Sequence, residues 1–195
     1  MGYERLVPKA YDFDFLYISS SLEPARTTPS VRIIPTHTYE TAPRDLDILL
    51  IAGPSPSHRP AGSTEFLREA FDKTKVIFTV CTGSLWLASS GVLNGRKATT
   101  NRMFIPVAKQ LYPDVEWLDQ RWTVDEDGPG AKLWIAGAAS HGMEMIATYV
   151  LQHFDPEIAA LACEAIGFHP SAPFERGQQY AGPPLEAGKV PAYRL

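Results

Sequence analysis

Two cysteines, Cys81 and Cys163, are all that this chain of 195 residues contains. They make neither a disulfide framework nor a metal-ligand spacing, so no metal is expected. No apolar run approaches the length of a membrane span, about 20 residues. The start, Met-Gly-Tyr-Glu-Arg, lacks the apolar stretch of a signal peptide. The cytoplasm is therefore the default compartment. Basic residues are in the minority, 18 Lys and Arg against 22 Asp and Glu, for a formal net charge of -4. That balance argues against nucleic acid and against membrane as partners, since both call for a basic patch. No internal repeat is evident.

What is present fits a single domain over residues 1–195. Hydrophobic residues make up 45% of the chain, enough for a sizeable core. Strand-like and helix-like stretches alternate. Strands are expected at Asp12–Ser19, Val31–Ile34, Asp47–Ile51, Val76–Val80, Val115–Leu118, Arg121–Val124 and Lys132–Ala136. Helices are expected at Thr64–Asp72, Leu85–Ser90, Met103–Leu111 and Met143–Phe154. Phe66, Leu67, Ala70 and Phe71 recur at helical spacing. Leu22–Ser30 reads as a Pro/Thr-rich loop, and the Pro/Gly-rich tail over 167–195 is expected to wrap the surface. The alternation predicts an α/β fold: a doubly wound, mostly parallel sheet in a flavodoxin-like three-layer sandwich.

The segment Lys75-Val-Ile-Phe-Thr-Val-Cys-Thr-Gly-Ser84 carries the most chemistry. A short β-branched run reads as a buried parallel strand. Gly83 and Ser84 follow at once, and a helix runs on to Gly91. Cys81 is thus predicted on a sharp strand-to-helix turn, a nucleophile elbow. At a helix N-terminus, free N–H groups and the dipole favour the thiolate over the thiol. The same N–H groups can stabilise charge on a substrate. The plainer reading is a small apolar residue closing a strand. Cys163 lies in the apolar run Ile158–Cys163 and reads as a buried structural thiol.

These motifs resemble the PfpI/ThiJ-like superfamily, with its class I glutamine amidotransferase-like fold. The likeness rests on Val80-Cys-Thr-Gly-Ser-Leu85 and Gly91-Val-Leu-Asn-Gly-Arg-Lys-Ala-Thr-Thr100. Leu46–Ile51, Arg121-Trp-Thr-Val, Gly137–Met145 and His169–Phe174 agree in order and spacing. The branch that fits best is isonitrile hydratase-like. The resemblance implies a Cys81 nucleophile, a small-molecule substrate, no cofactor and a homodimer. An isonitrile carbon attacked by Cys81 would become a thioimidate, and water would release an N-substituted formamide. Thr82 could hold the attacking water, or could simply cap the helix start. Asn101 stands where many members carry a histidine; it donates hydrogen bonds but is no base near neutrality.

The chain also departs from the family pattern. The Pro-Gly-Gly loop reads Ala52-Gly53-Pro54, and Pro54 has no N–H to offer a developing charge. Gly53 or Ser55 would have to replace that donor. The start looks short: no residue matches the family's acid, and a first interior strand is expected to be missing, with Tyr3–Ala10 as a helix remnant. His141 stands where the branch carries a small residue. It could serve as a base, or it could only line a turn. His37 and His58 lie in polar loops and are expected to be solvated, and His153 sits favourably near a helix C-terminus. Three functional classes follow: a cysteine-dependent hydratase, a diverged tailoring enzyme (lyase, isomerase or cyclase), or a non-catalytic ligand-sensing or partner-binding domain.

Overall fold

The structure is a computed structural model that describes residues 3–27 and 30–168, with the side chains of residues 3–5 outside that description. The Pro/Gly-rich tail and the His169–Phe174 motif therefore lie almost wholly outside the described residues. Ten strands and five α-helices follow in chain order among the described residues. The strands are β1 (Ile18–Ser19), β2 (Ala25–Arg26), β3 (Arg32–Ile33), β4 (His37–Thr38), β5 (Ile48–Ile51), β6 (Val76–Val80), β7 (Lys97–Ala98), β8 (Glu116–Trp117), β9 (Trp122–Asp125) and β10 (Lys132–Ala136). The helices are α1 (Ser63–Lys73), α2 (Gly83–Ser89), α3 (Ile105–Leu111), α4 (Ala139–His153) and α5 (Pro156–Ala165).

The central sheet has the order β5-β6-β10-β9. β6 pairs in parallel with β5 on one side and with β10 on the other, while β9 closes the far edge antiparallel to β10. β6 and β10 are buried along nearly their whole length, which is why both read as continuous apolar runs rather than alternating ones. Leu49, Ile51, Ile77, Leu133 and Ile135 face a core built with α1, α2 and α3. Val76, Phe78, Trp134 and Ala136 face the opposite layer, where α4 supplies Met145 and Tyr149. Helices on both faces of a mostly parallel sheet make the expected flavodoxin-like α/β sandwich.

Local chemistry sets the helix ends. α1 has Glu65 in its first turn and Lys73 in its last, both favourable to the helix dipole. Its buried stripe, Phe66, Leu67, Ala70 and Phe71, is the one its periodicity predicts. α5 is capped by Asp155, whose carboxylate accepts from the N–H groups of Glu157 and Ile158. Cys163 lies on α5 and is 8% exposed, in keeping with a structural thiol.

Several boundaries differ from expectation. The strand expected over Asp12–Ser19 contracts to β1, because only Ile18 and Ser19 find a ladder partner, in β4. Phe13 and Phe15 stay exposed, and Phe13 leans on Phe154 at a ring distance of 6.1 Å. The Pro/Thr-rich loop contributes a strand, β2, which pairs antiparallel with β3. The helix expected from Met103 opens with a 3-10 turn, Arg102–Phe104, and α3 then starts with Pro106 in its first turn. Tyr3–Lys9 is also a 3-10 helix. α4 begins at Ala139 rather than Met143, which places His141 in its first turn. Among the described residues no strand pairs with the outer edge of β5, and Leu50 on that strand is 54% exposed. No helix there is long and apolar enough to cross a membrane.

The contrast between a central and an edge strand is measurable. Leu133→Ala, at a site with 0% exposure, should lose about 2–5 kcal/mol of stability in urea unfolding. Leu50→Ala should stay within about 0.5 kcal/mol of wild type. Equal effects would contradict the burial just described.

Candidate active site

β6 ends at Val80 and α2 starts at Gly83, so the chain has two residues in which to turn from strand to helix. Cys81 makes that turn with φ +59°. For a residue with a Cβ this left-handed conformation is unfavourable by about 1–3 kcal/mol and persists only where its surroundings enforce it. The enforcement is visible. The Cys81 N–H donates to the Ala136 carbonyl at the end of β10, at 2.8 Å. The Cys81 carbonyl accepts from the hydroxyls of Ser84 and Thr100, each at 3.1 Å. The side chain is left partly accessible.

A second loop, the one after β5, presses against this turn. A Cβ on Gly53 would lie 2.8 Å from the Cys81 Cβ, and one on Gly83 would lie 2.5 Å from the Ile51 carbonyl oxygen. Only glycine fits at either place. Gly53 is therefore the loop residue that faces the cysteine. Pro54 instead turns its carbonyl to the buried Thr82, whose hydroxyl donates to it at 2.5 Å. With its proton committed there, Thr82 can only accept from a bound water or substrate. The Gly53 and Thr82 N–H groups have no acceptor among the described residues. Gly53 is thus available to replace the donor that Pro54 lacks. Ser55 pairs its hydroxyl with Ser57 at 3.3 Å and accepts from the His58 N–H through its carbonyl, while its own N–H likewise has no acceptor among the described residues.

Asn101 reaches the sulfur. Its side-chain oxygen accepts from the Met103 N–H at 3.1 Å, which leaves its Nδ2 to face the Cys81 Sγ at 3.4 Å. Among the described residues no carboxylate bonds to the sulfur, and no group of three or more His, Cys, Asp or Glu could hold a metal ion. His141 makes no hydrogen bond to the sulfur. It shares with Asn101 the wall of a pocket of about 150 Å³, together with Arg102, Asp119, Gly137 and Ala138. Arg121, beside His141, is paired with Glu144. Burial first, and the Arg121 guanidinium second, hold the His141 imidazole below the usual histidine range. At neutral pH it is uncharged and can accept a proton.

Of the other histidines, His58 and His153 are exposed and His37 is half-buried, less solvated than expected. His58 packs edge-on against Trp86 at 4.7 Å, and burial, aided by Arg59, lowers its pKa. His37 is half-buried in β4, with its Nδ1 2.9 Å from the Thr36 hydroxyl. His153 ends α4 and stacks on Tyr149 at 4.2 Å. The sequence reading missed Ser84, Thr100 and Ala136, which hold the Cys81 backbone. Ser84, three residues past the cysteine at a helix start, and Thr100, at the end of the Ala-Thr-Thr motif, gave a signal; Ala136 gave none.

A three-layer α/β domain with a partly exposed cysteine on a strained strand-to-helix turn is the class of protein that emerges. Residues 3–149 match the DJ-1/PfpI family, and the chain belongs to it. It is 26% identical over 165 residues to the isonitrile hydratase of Pseudomonas putida, covering 83% of this chain and 69% of that protein. It is 32% identical over 90 residues to the deglycase PfpI of Pyrococcus furiosus, covering 44% of this chain and 52% of that one. A ThiJ/PfpI family protein from Pseudomonas syringae superposes with a TM-score of 0.66 at 26% identity, over 83% of this chain and 66% of the other. The chain thus spans roughly half to two thirds of the length of these relatives.

Two tests follow from the geometry. Gly53→Ala should cost about 1–3 kcal/mol through overpacking and should slow alkylation of Cys81. An unchanged alkylation rate would show that the loop does not press on the cysteine. The depressed histidines also set a pH dependence. Above the unfolded value, about 6.5, both states are neutral and nothing is lost. As pH falls through that value the unfolded chain takes up protons first, so stability drops until the lowered folded value is reached. His141→Gln should flatten the stability curve below about pH 6.5, and adding His58→Gln should flatten it further. Melting curves across that range provide the check.

Proposed function

We propose that this protein is a cysteine-dependent enzyme acting on a small electrophile, with hydration of an isonitrile to an N-substituted formamide as its specific reaction. The observation that carries this reading is Cys81, held at φ +59° between β6 and α2 with its sulfur facing a neutral donor, Asn101. The likeness to the isonitrile hydratase supports it. The proposed working unit, by resemblance, is a homodimer.

The proposed steps balance without a redox partner. The Cys81 thiolate attacks the terminal isonitrile carbon, forming a C–S bond. A proton adds to that carbon, giving the thioimidate R–N=CH–S–Cys81. Water then adds to the same carbon, the C–S bond breaks, and the thiol returns as R–NH–CHO leaves. Splitting one addition into two easier steps is covalent catalysis. Neutral His141 is the candidate base for the water, and the Thr82 oxygen a candidate acceptor that orients it. The free Gly53 and Thr82 N–H groups are the candidate donors for charge that builds on the substrate.

One observation favours a second reading. No carboxylate among the described residues touches the sulfur. A diverged lyase, isomerase or cyclase could use the same pocket without a covalent step.

The deciding experiment is turnover of an alkyl isonitrile, followed by infrared loss of the isonitrile stretch and by formamide formation. Cys81→Ser should lower the rate at least about a hundredfold, and Cys163→Ala should leave it near wild type. Retained activity in Cys81→Ser would exclude the covalent route and favour the second reading.

A further inference from the structure

The pocket beside Asn101 has a place in the fold that makes it more than a surface dent. Two of its lining residues, Gly137 and Ala138, follow directly on Ala136, whose carbonyl holds the Cys81 N–H at 2.8 Å. Its near wall is Asn101, whose amide is 3.4 Å from the sulfur. The pocket therefore starts one side chain away from the nucleophile. Gly137 lies flush against the neighbouring backbone, since a Cβ there would sit 2.9 Å from the Thr100 carbonyl oxygen. Of these two lining residues only Ala138 carries a side chain.

Size and charge both restrict what fits. A cavity of about 150 Å³ suits a benzene-sized group of about six non-hydrogen atoms. Most of its surface is carbon, with polar atoms at a few points. The charges on its wall cancel: the Arg102 Nε lies 3.0 Å from the Asp119 carboxylate. Behind His141, Arg121 is likewise paired with Glu144. A charged substituent of either sign would give up water without gaining a counter-ion. An uncharged one has no such penalty.

We infer that this pocket receives the substituent of the electrophile attacked by Cys81, and that it selects small, uncharged substituents, with Ala138 setting the size limit. The inference rests on the reading of Cys81 as the nucleophile, but not on the identity of the electrophile. Ala138 is a specificity residue; it makes no hydrogen bond to the sulfur, whose donor is Asn101.

The test uses two reagent series that share substituents. The first is N-substituted iodoacetamides, where the Cys81 sulfur forms a bond to carbon as iodide leaves. The substituents are hydrogen, propyl, cyclohexyl, naphthyl and carboxymethyl, and modification is read on the Cys81 peptide by mass spectrometry. The second is isonitriles with the same carbon substituents, read as turnover. In the wild type, propyl and cyclohexyl reagents should match or exceed iodoacetamide, while naphthyl and carboxymethyl reagents should lag about tenfold. Ala138→Leu should slow the cyclohexyl reagent about tenfold and leave iodoacetamide unchanged. Ala138→Gly, which removes a methyl and tests the opposite direction, should speed the naphthyl reagent relative to the propyl one. Rates that ignore both Ala138 variants, or that fall equally for every reagent in Ala138→Leu while Ala138→Gly changes nothing, would overturn the inference. A carboxymethyl reagent that outpaces propyl would overturn its charge selection. If the iodoacetamides obey the pocket but no isonitrile is turned over, the hydratase reading fails and the pocket assignment stands.

Discussion

The site depends on one strained residue. Cys81 carries a Cβ in the left-handed region, and nothing in its own chemistry favours that conformation. What sustains it is a set of three hydrogen bonds from three different elements: β10 through Ala136, α2 through Ser84 and the segment after β7 through Thr100. Each is of modest net worth, about 0.5–1.5 kcal/mol. Together they are of the size needed to offset the conformational penalty, and all three elements contribute. The close approach of Gly53 and Gly83 adds a steric boundary that no hydrogen bond supplies. The cysteine is therefore fixed by the sandwich as a whole rather than by its own loop.

The electrostatics around the sulfur are those of neutral groups. Asn101 offers an amide donor, Thr82 an oxygen acceptor and His141 an uncharged imidazole. The charged side chains nearby come as pairs, Arg102 with Asp119 and Arg121 with Glu144. Such a site has dipoles to stabilise a change of charge during reaction, without a fixed ion to bind one tightly at rest. Under the proposed reaction, that suits a neutral electrophile better than an ionic ligand.

The elements that were legible from sequence are those whose residues decide their own environment. Val76–Val80 and Lys132–Ala136 are apolar enough that burial on both faces was forced, and α1 announces its buried face by periodicity. The turn at Cys81 was legible because Gly83 follows so closely. Where the outcome depended on a distant partner, the sequence was silent. Asp12–Ser19 alternates well enough for a strand, but a strand exists only where a ladder does, and β4 offers two residues of one. The part Pro54 plays was also hidden. Pro54 was noticed for the N–H it lacks, whereas the structure uses the carbonyl it keeps. Thr100 was read as part of a motif, and its bond to the Cys81 carbonyl comes from tertiary packing alone.

The parallel pairing of β6 with β10 also has a consequence in time. β6 and Cys81 leave the ribosome well before β10, and the Ala136 carbonyl that grips the Cys81 N–H comes later still. Until that strand arrives, the nascent chain has no reason to hold its cysteine in the left-handed conformation. Parallel strands joined by a long crossover are slow to pair, because loop closure precedes any gain from contact. The thiol thus does not acquire its special geometry before β10 has docked. A partly made chain would carry an ordinary cysteine, and the distinctive one would be a property of the finished molecule only.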